Sequence, residues 1–308
     1  MNKQFQLVDE LDKISTEDQN TETLDIDLLD AQGVLEKINS EDQKVAGVVK
    51  GIIPEIAQAV DKIVAAFAKG GRLIYIGAGT SGRLGILDAV ECPPTFSVGD
   101  KQVIGIIAGG DKAIYKAVEG AEDNELFAID DLKNTELSAN DVLVGIAASG
   151  RTPYVISAMK YGKSIGATVI GISCSYNETF KQANDINLCA VVGAEVLTGS
   201  TRMKSGTAQK LILNMLSTAS MIRIGKSYKN LMIDVSASNE KLHARAVRIV
   251  MQATDCNYDC AKQALEHAKN NAKHATLMIL TGLNIEQARV CLVKNKGFLR
   301  QAVQQAEN

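Results

Sequence analysis

The sequence has few of the residues around which many active sites and disulfide scaffolds are built. It contains three histidines, His243, His267 and His274, all late in the chain. The six cysteines are scattered, and only Cys256 and Cys260 lie close together. No Cys or His cluster completes a zinc site. We therefore expect no metal, no disulfide framework, a reducing compartment, and chemistry that does not depend on histidine.

Long apolar runs and an excess of one charge are also missing. No stretch approaches the roughly 18–20 apolar residues of a membrane helix. The N-terminus, MNKQFQLVDELDKISTEDQN, carries early acids and no apolar core, so we predict no signal peptide and a cytoplasmic protein. The net charge of -3 gives no reason to expect nucleic acid or an anionic membrane as a partner.

Short, β-branched apolar runs that alternate with helical stretches are what the sequence does contain. The runs are RLIYIG, QVIGIIA, DVLVGIAA, ATVIGIS and INLCAVV. Continuous rather than alternating apolarity is typical of parallel strands that are buried on both faces. The pattern predicts an α/β fold with a doubly wound, mainly parallel sheet of about five strands.

The composition shifts twice along the chain. Residues 1–45 are polar and acid-rich, and we interpret them as an N-terminal arm that packs on another surface, such as a partner subunit. Residues 46–239 hold the α/β pattern. Residues 240–308 contain short amphipathic helices and no strands, which predicts a small helical subdomain. Extra helices that cover the main sheet are the alternative.

The first candidate binding loop is GAGTSG, residues 77–82, which lies between a predicted strand and a predicted helix. It fits the G-x-G-x-x-G pattern of dinucleotide-binding folds. Such folds carry an acid at the end of the second strand, where this chain has Gly109 and Gly110. Thr80 and Ser81 place hydroxyls at the helix start, which favours a phosphate ligand over a dinucleotide.

Two further loops repeat this design. Ser149-Gly150-Arg151-Thr152-Pro153 follows the third strand, and the cluster from Thr198 to Ser205 precedes a long helix. Ligands of open α/β sheets bind at the carboxyl ends of the strands, so the loops should face one crevice. A phosphate monoester is the ligand we expect there. The alternative is that each hydroxyl only caps its helix.

Three glutamates stand out from the charged background. Glu91 lies in ECPPTF, at the end of a helix where Pro93 and Pro94 predict an irregular turn. Glu122 lies in AVEGAED at the end of the next predicted helix, and Glu119 precedes it on the same helical face. Solvated helix ends are the alternative interpretation of all three.

Four stretches together resemble one enzyme family: GAGTSGRLGILDAVECPPTF, AVEGAEDN, ASGRTPYVISA and GAEVLTGSTRMKSGTAQKLILNMLST. They are similar to the N-acetylmuramic acid 6-phosphate etherases of the sugar isomerase (SIS) superfamily, with the glucokinase regulatory protein as a more distant relative. The resemblance covers roughly residues 30–300. It implies a SIS-type sheet, a homodimer in cytoplasmic cell-wall sugar recycling, no cofactor, and a C-terminal bundle similar to ubiquitin-associated domains.

The family cleaves the ether between C3 of the sugar and D-lactate, giving N-acetylglucosamine 6-phosphate. By resemblance, Glu91 and Glu122 are the catalytic pair: Glu91 protonates the departing lactate, and Glu122 is the base towards C2 or water. The apolar, proline-flanked setting of Glu91 would favour its protonated form. The residues expected to bind substrate are Thr80, Ser81, Arg83, Ser149, Arg151, Thr152, Ser200, Arg202 and Lys204.

Two rival functions stay open at this point. An aldose-ketose isomerase or a deaminase of the superfamily would also move the C2 proton, without expelling a C3 group. A non-catalytic sugar-phosphate sensor, like the glucokinase regulator, would need no acid and base. The glutamate pair and the single SIS unit speak against the sensor.

Overall fold

The sheet of the computed structural model, which describes residues 14–234 and 240–307, confirms the predicted fold class. Its strands are β1 (Leu73–Gly77), β2 (Val103–Ile107), β3 (Val142–Ile146), β4 (Thr168–Ser173) and β5 (Ile186–Cys189). All pairings are parallel, in the order β2-β1-β3-β4-β5. Each strand coincides with one of the apolar runs of the sequence.

The strand order places a topological switch point between β1 and β3. Leu73 of β1 pairs with Val103 of β2 on one side and with Val142 of β3 on the other. The chain therefore starts in the sheet interior and moves outward in both directions. Both β1 and β3 are fully buried, whereas the edge strand β2 is partly exposed. Ligands bind beyond the carboxyl ends of the strands at such a point.

Helices on either side of the strands complete the first half of the molecule. They are α1 (Ala31–Lys50), α2 (Ile53–Ala68), α3 (Gly79–Phe96), α4 (Lys112–Tyr115), α5 (Glu125–Asn134), α6 (Pro153–Ser164), α7 (Glu178–Gln182) and α8 (Lys204–Arg223). Strand β1 and helix α3 approach closely because Gly82 lacks a side chain. A Cβ on Gly82 would lie 2.6 Å from Ile107 Cγ1 and 2.7 Å from the Gly77 carbonyl oxygen.

Two local predictions in this region are wrong. Helix α3 does not break at Pro93 and Pro94 but contains both and continues to Phe96. The fixed φ of proline is compatible with a helix, and α3 stops instead at Ser97, whose φ is 48°. Helix α4 ends at Tyr115, so Glu119 and Glu122 do not share a helical face.

The second half of the molecule is helical, as the sequence predicted. Its helices are α9 (Glu240–Thr254), α10 (Tyr258–His267), α11 (Ala272–Thr281), α12 (Ile285–Lys294) and α13 (Leu299–Glu307). A capping box between Asn284 and Gln287 begins α12. Among the described residues no single helix is long and apolar enough to cross a membrane, and the bent pair α11–α12 meets that test only when its helices are joined.

The described chain divides into two compact units. One takes in the residues up to Val90 together with Lys101–Ser217, and the other Glu91–Asp100 with the residues from Thr218 onward. The predicted limits after residues 45 and 239 stay predictions: α1 runs across the first, and residues 235–239 lie outside the described residues.

Candidate functional site

The first turn of α3 presents backbone N–H groups without an intrahelical acceptor at the carboxyl end of β1. The first helical hydrogen bond runs from the Gly82 amide to the Ala78 carbonyl, at 3.2 Å. The amides of Gly79, Thr80 and Ser81 precede it, so none of them has an acceptor within the helix. A helix start of this kind favours an anionic group.

The second predicted loop leaves the start of α6 without a side-chain cap. Gly150 adopts a φ of 68°, and the Arg151 amide donates to Ser149 Oγ at 3.3 Å. Thr152 is the N-cap residue of α6, yet its side chain makes no capping hydrogen bond. The alternative of a simple N-cap therefore does not account for the Thr152 hydroxyl.

The third predicted loop leads into a helix, α8, whose first amides already donate hydrogen bonds to a carboxylate of the same chain. Both carboxylate oxygens of Glu195, which is fully buried, accept hydrogen bonds from the amides of Lys204 and Ser205, each at 2.9 Å. Ser200 is half-buried and Arg202 is exposed. A contribution of this loop to an anion site would therefore come from side chains rather than from the amides that begin α8.

Lys204 forms a buried ion pair that the sequence did not predict. Its Nζ lies 2.6 Å from Glu41 Oε2 on α1, and the two side chains are 2% and 5% exposed. Lys44 also donates to the Glu41 carboxylate. Burial acts to raise the pKa of Glu41, but the hydrogen bonds from Lys204 and Lys44 outweigh it and hold this pKa below its usual value. Lys204 therefore anchors the start of α8 to α1, and its role towards substrate stays a prediction.

The described part of the predicted N-terminal arm packs on the same loop of its own chain. Asn20 Nδ2 donates to the Ala194 carbonyl at 3.3 Å, and Thr23 Oγ1 donates to the Val196 carbonyl at 2.9 Å. Glu17 lies beside Gly199. The arm and α1 together therefore hold the segment that leads into α8.

A crevice of about 310 Å³ opens beside the GAGTSG loop. Arg83, Glu119 and Glu122 are among the residues that line it, together with small residues such as Gly79 and Gly120. Arg83 Nε donates to the Ile114 carbonyl at 3.0 Å. Glu122 lies in the short 3₁₀ turn Ala121–Asp123, which follows Gly120 at a φ of 71°. The fold thus brings two sequence-predicted residues, Arg83 and Glu122, into one cavity.

Glu91 is not enclosed in the way that its apolar neighbours suggested. The buried residues of α3 near this point are Asp88, Ala89, Cys92 and Phe96, which share one helical face. Glu91 lies off that face and is exposed.

Three hydrogen bonds near the site have no local sequence signal. Tyr75 and Asn214 donate to the Asp88 carboxylate at 2.8 and 2.7 Å. Burial raises the pKa of Asp88 above its usual value, and these hydrogen bonds offset only part of the rise. Ser81 Oγ donates to Gln209 Oε1 at 3.0 Å, although the two residues are 128 positions apart. Pairs this distant cannot be found by spacing.

Within the part of the chain that the structure describes, no group of three or more His, Cys, Asp or Glu side chains is placed to hold a metal ion.

Family models match three segments of the chain. Residues 55–163 match the N-terminal SIS domain of the glucokinase regulatory protein, and residues 116–219 match the SIS domain. Residues 229–280 match the C-terminal lid domain of the glucokinase regulatory protein. The SIS match agrees with the observed sheet.

Curated relatives match nearly the whole chain. A protein named N-acetylmuramic acid 6-phosphate etherase from Colwellia psychrerythraea is 71% identical over 99% of this chain and 99% of its own. Its namesake from Pseudoalteromonas atlantica is 60% identical, again over 99% of both. N-acetylmuramic acid 6-phosphate etherase 2 from Vibrio cholerae is 58% identical over 98% of both chains.

Proposed function

The chain belongs to the N-acetylmuramic acid 6-phosphate etherase family, and we propose that it cleaves the C3 D-lactyl ether of N-acetylmuramic acid 6-phosphate. The products are N-acetylglucosamine 6-phosphate and D-lactate. The observation that carries this proposal is the crevice in which Glu122 and Arg83 meet the open helix start of the GAGTSG loop. A carboxylate and an anion site side by side suit a substrate with a phosphate and an acidic C–H bond.

The reaction is an elimination followed by a hydration. Opening of the sugar ring exposes an aldehyde at C1, which acidifies the proton on C2. A base removes that proton, the C3–O bond breaks, and lactate leaves with a proton from an acid. Water then adds its oxygen at C3 and a proton returns to C2. Two carboxyl groups in opposite protonation states suffice for the proton transfers of the elimination and the hydration, so these steps require no metal or redox cofactor.

Glu122 is the proposed base, and Glu91 the proposed acid that protonates the lactate oxygen. The support for Glu122 is its position in the lining of the crevice. The support for Glu91 is the match of ECPPTF to the family, and its exposure leaves it accessible to a ligand.

Phosphate is proposed to bind at the first two loops. Thr80 and Ser81 offer amides at the start of α3, and Thr152 offers a hydroxyl that caps no helix. Ser149 lies in the same loop as Thr152. The remaining polar candidates for the phosphate or the lactyl carboxylate are Arg83, Arg151, Ser200 and Arg202.

The setting proposed for this activity is the cytoplasmic recycling of cell-wall amino sugars, by a homodimer. Sedimentation of the purified protein at several concentrations tests the dimer, and a sedimenting mass equal to one chain would contradict it.

The activity is tested by D-lactate release from N-acetylmuramic acid 6-phosphate in H₂¹⁸O. Elimination and hydration predict unlabelled lactate and an ¹⁸O atom at C3 of the sugar. The aldehyde oxygen also exchanges with water, so fragmentation in the mass spectrometer must locate the label. Label in the lactate hydroxyl instead would mean attack at the lactyl carbon and would overturn the mechanism.

The same incubation in D₂O separates the rival functions. Deuterium at C2 without lactate would indicate an isomerase-like reaction. Binding of the sugar phosphate without lactate or exchange would indicate a sensor.

A further inference from the structure

Gln209 lies directly behind the proposed phosphate loop. It is 1% exposed on α8, and its Oε1 accepts the hydrogen bond from Ser81 Oγ at 3.0 Å. One turn earlier on α8, a Cβ on Gly206 would lie 3.6 Å from Thr80 Cγ2. The start of α8 is therefore packed against the residues that are proposed to hold the phosphate.

The hydrogen bond between these two side chains leaves both poorly placed for an anion. A serine hydroxyl has one proton, and here that proton is directed at Gln209. The lone pairs of Ser81 would then face the oxygens of a phosphate, which are also acceptors. The Gln209 nitrogen Nε2 is buried and, among the described residues, has no hydrogen-bond partner. A buried donor without an acceptor is costly.

One rotation removes both defects. The ends of a glutamine amide are nearly equal in size, so a half-turn about the last side-chain bond exchanges Oε1 and Nε2. Nε2 then donates to Ser81 Oγ, and the Ser81 proton becomes available. The carbonyl oxygen takes the place of the unpaired nitrogen, and an unpaired acceptor is tolerated better than an unpaired donor.

We propose that Gln209 is a positioning residue for the substrate phosphate: its amide donates to Ser81 Oγ in the bound state and thereby directs the Ser81 hydroxyl proton onto a phosphate oxygen. This inference rests on the proposed function, since it assumes that the GAGTSG loop holds the phosphate of a sugar phosphate. Gln209 acts through Ser81 and does not itself touch the substrate.

A double-mutant cycle tests the coupling. Ser81→Ala, Gln209→Met and the double variant of the full-length protein are titrated with N-acetylglucosamine 6-phosphate by calorimetry. Each single change is expected to raise Kd by about tenfold, the scale of one hydrogen bond to a charged group. The double variant is expected to bind no more weakly than Ser81→Ala alone, because both changes remove the same interaction. In turnover assays KM rises by a similar factor, while kcat stays within about twofold.

Gln182→Met is the matched control. Among the described residues the Gln182 side chain makes one hydrogen bond, an exposed one to Glu178 at 3.1 Å, so the same chemical change there should leave Kd unchanged. Gln209→Glu is a second variant of nearly native shape. The carboxylate of this variant can accept a hydrogen bond but cannot donate one, so the Ser81 hydroxyl proton stays directed at it. Its negative charge also repels the phosphate. Acidification adds a proton that can be donated to Ser81 Oγ, so the ratio of variant to native Kd should fall towards one. A residue with a merely structural role would show no such pH dependence.

The outcomes separate this inference from the proposed function. Additive losses, about a hundredfold in the double variant, or native affinity in Gln209→Met would overturn the role of Gln209 and leave the activity standing. Native affinity in Ser81→Ala would overturn the role of the Ser81 hydroxyl and with it the role of Gln209, whereas the loop amides, which this variant keeps, would remain the proposed phosphate site. Absence of lactate release with coupled binding intact would reject the etherase activity and retain Gln209 as a phosphate-positioning residue.

Discussion

The buried ion pair between Lys204 and Glu41 allows the most quantitative prediction. Glu41→Gln would leave the Lys204 ammonium group, with a side chain only 2% exposed, facing a neutral amide. Removal of one partner from a buried pair costs about 3–5 kcal/mol, because the remaining charge stays desolvated. The free energy of unfolding, measured by urea denaturation, should fall by that amount. The melting temperature should fall by roughly 6–12 °C for a loss of 3 kcal/mol.

The chain supplies its own control for this prediction. Lys44 contacts the same Glu41 carboxylate, but its side chain is 53% exposed. Exposed pairs contribute about 0–1 kcal/mol, so Lys44→Met should have little effect. Lys204→Met should lower the free energy of unfolding several times more than Lys44→Met does. The double variant Glu41→Met with Lys204→Met should recover much of the loss, because it leaves no buried charge. Equal effects of Lys44→Met and Lys204→Met would refute this reasoning.

Three further predictions concern catalysis, pH dependence and packing. Glu122→Gln should slow lactate release by about 10²–10⁴-fold, whereas Glu119→Gln in the same crevice should retain activity; equal losses would remove Glu122 from the mechanism. Asp141→Asn should lower the free energy of unfolding near neutral pH by about 1–3 kcal/mol, since Arg72 donates to the buried carboxylate at 2.8 Å. Burial acts to raise the pKa of Asp141, but the hydrogen bond from Arg72 holds this pKa below its usual value. The higher free energy of unfolding of the native protein relative to Asp141→Asn is therefore present above about pH 4 and is lost as the pH falls through the folded pKa. An advantage that persists in acid far below that point would contradict this assignment. Gly82→Ala should lower the free energy of unfolding, measured by urea denaturation, by about 3 kcal/mol or more, because its Cβ would lie 2.6 Å from Ile107 Cγ1. The control Gly99→Ala should have little effect, because its Cβ would meet nothing within 4 Å.

Local patterns that report on burial were reliable in this chain. The apolar runs predicted all the strands of the sheet, because a strand buried on both faces must be apolar along its length. The capping box at Asn284 was likewise readable, since both of its partners lie within one turn. The helix break predicted at Pro93 and Pro94 is wrong because the fixed φ of proline fits a helix and tertiary context can override helix propensity.

Residue identity and motif determined the family and the positions of the loops that are proposed to bind phosphate, since glycines and hydroxyls at a strand-to-helix junction form a local pattern of a few residues. Only the tertiary structure decided which partner each polar side chain meets. Lys204 pairs with Glu41 of α1, and Ser81 pairs with Gln209 of α8, and no spacing in the sequence predicts either pair. Glu122 likewise joins Arg83 in one crevice. The physical cause is that burial and pairing depend on neighbours distant along the chain, whereas sequence patterns record only local geometry.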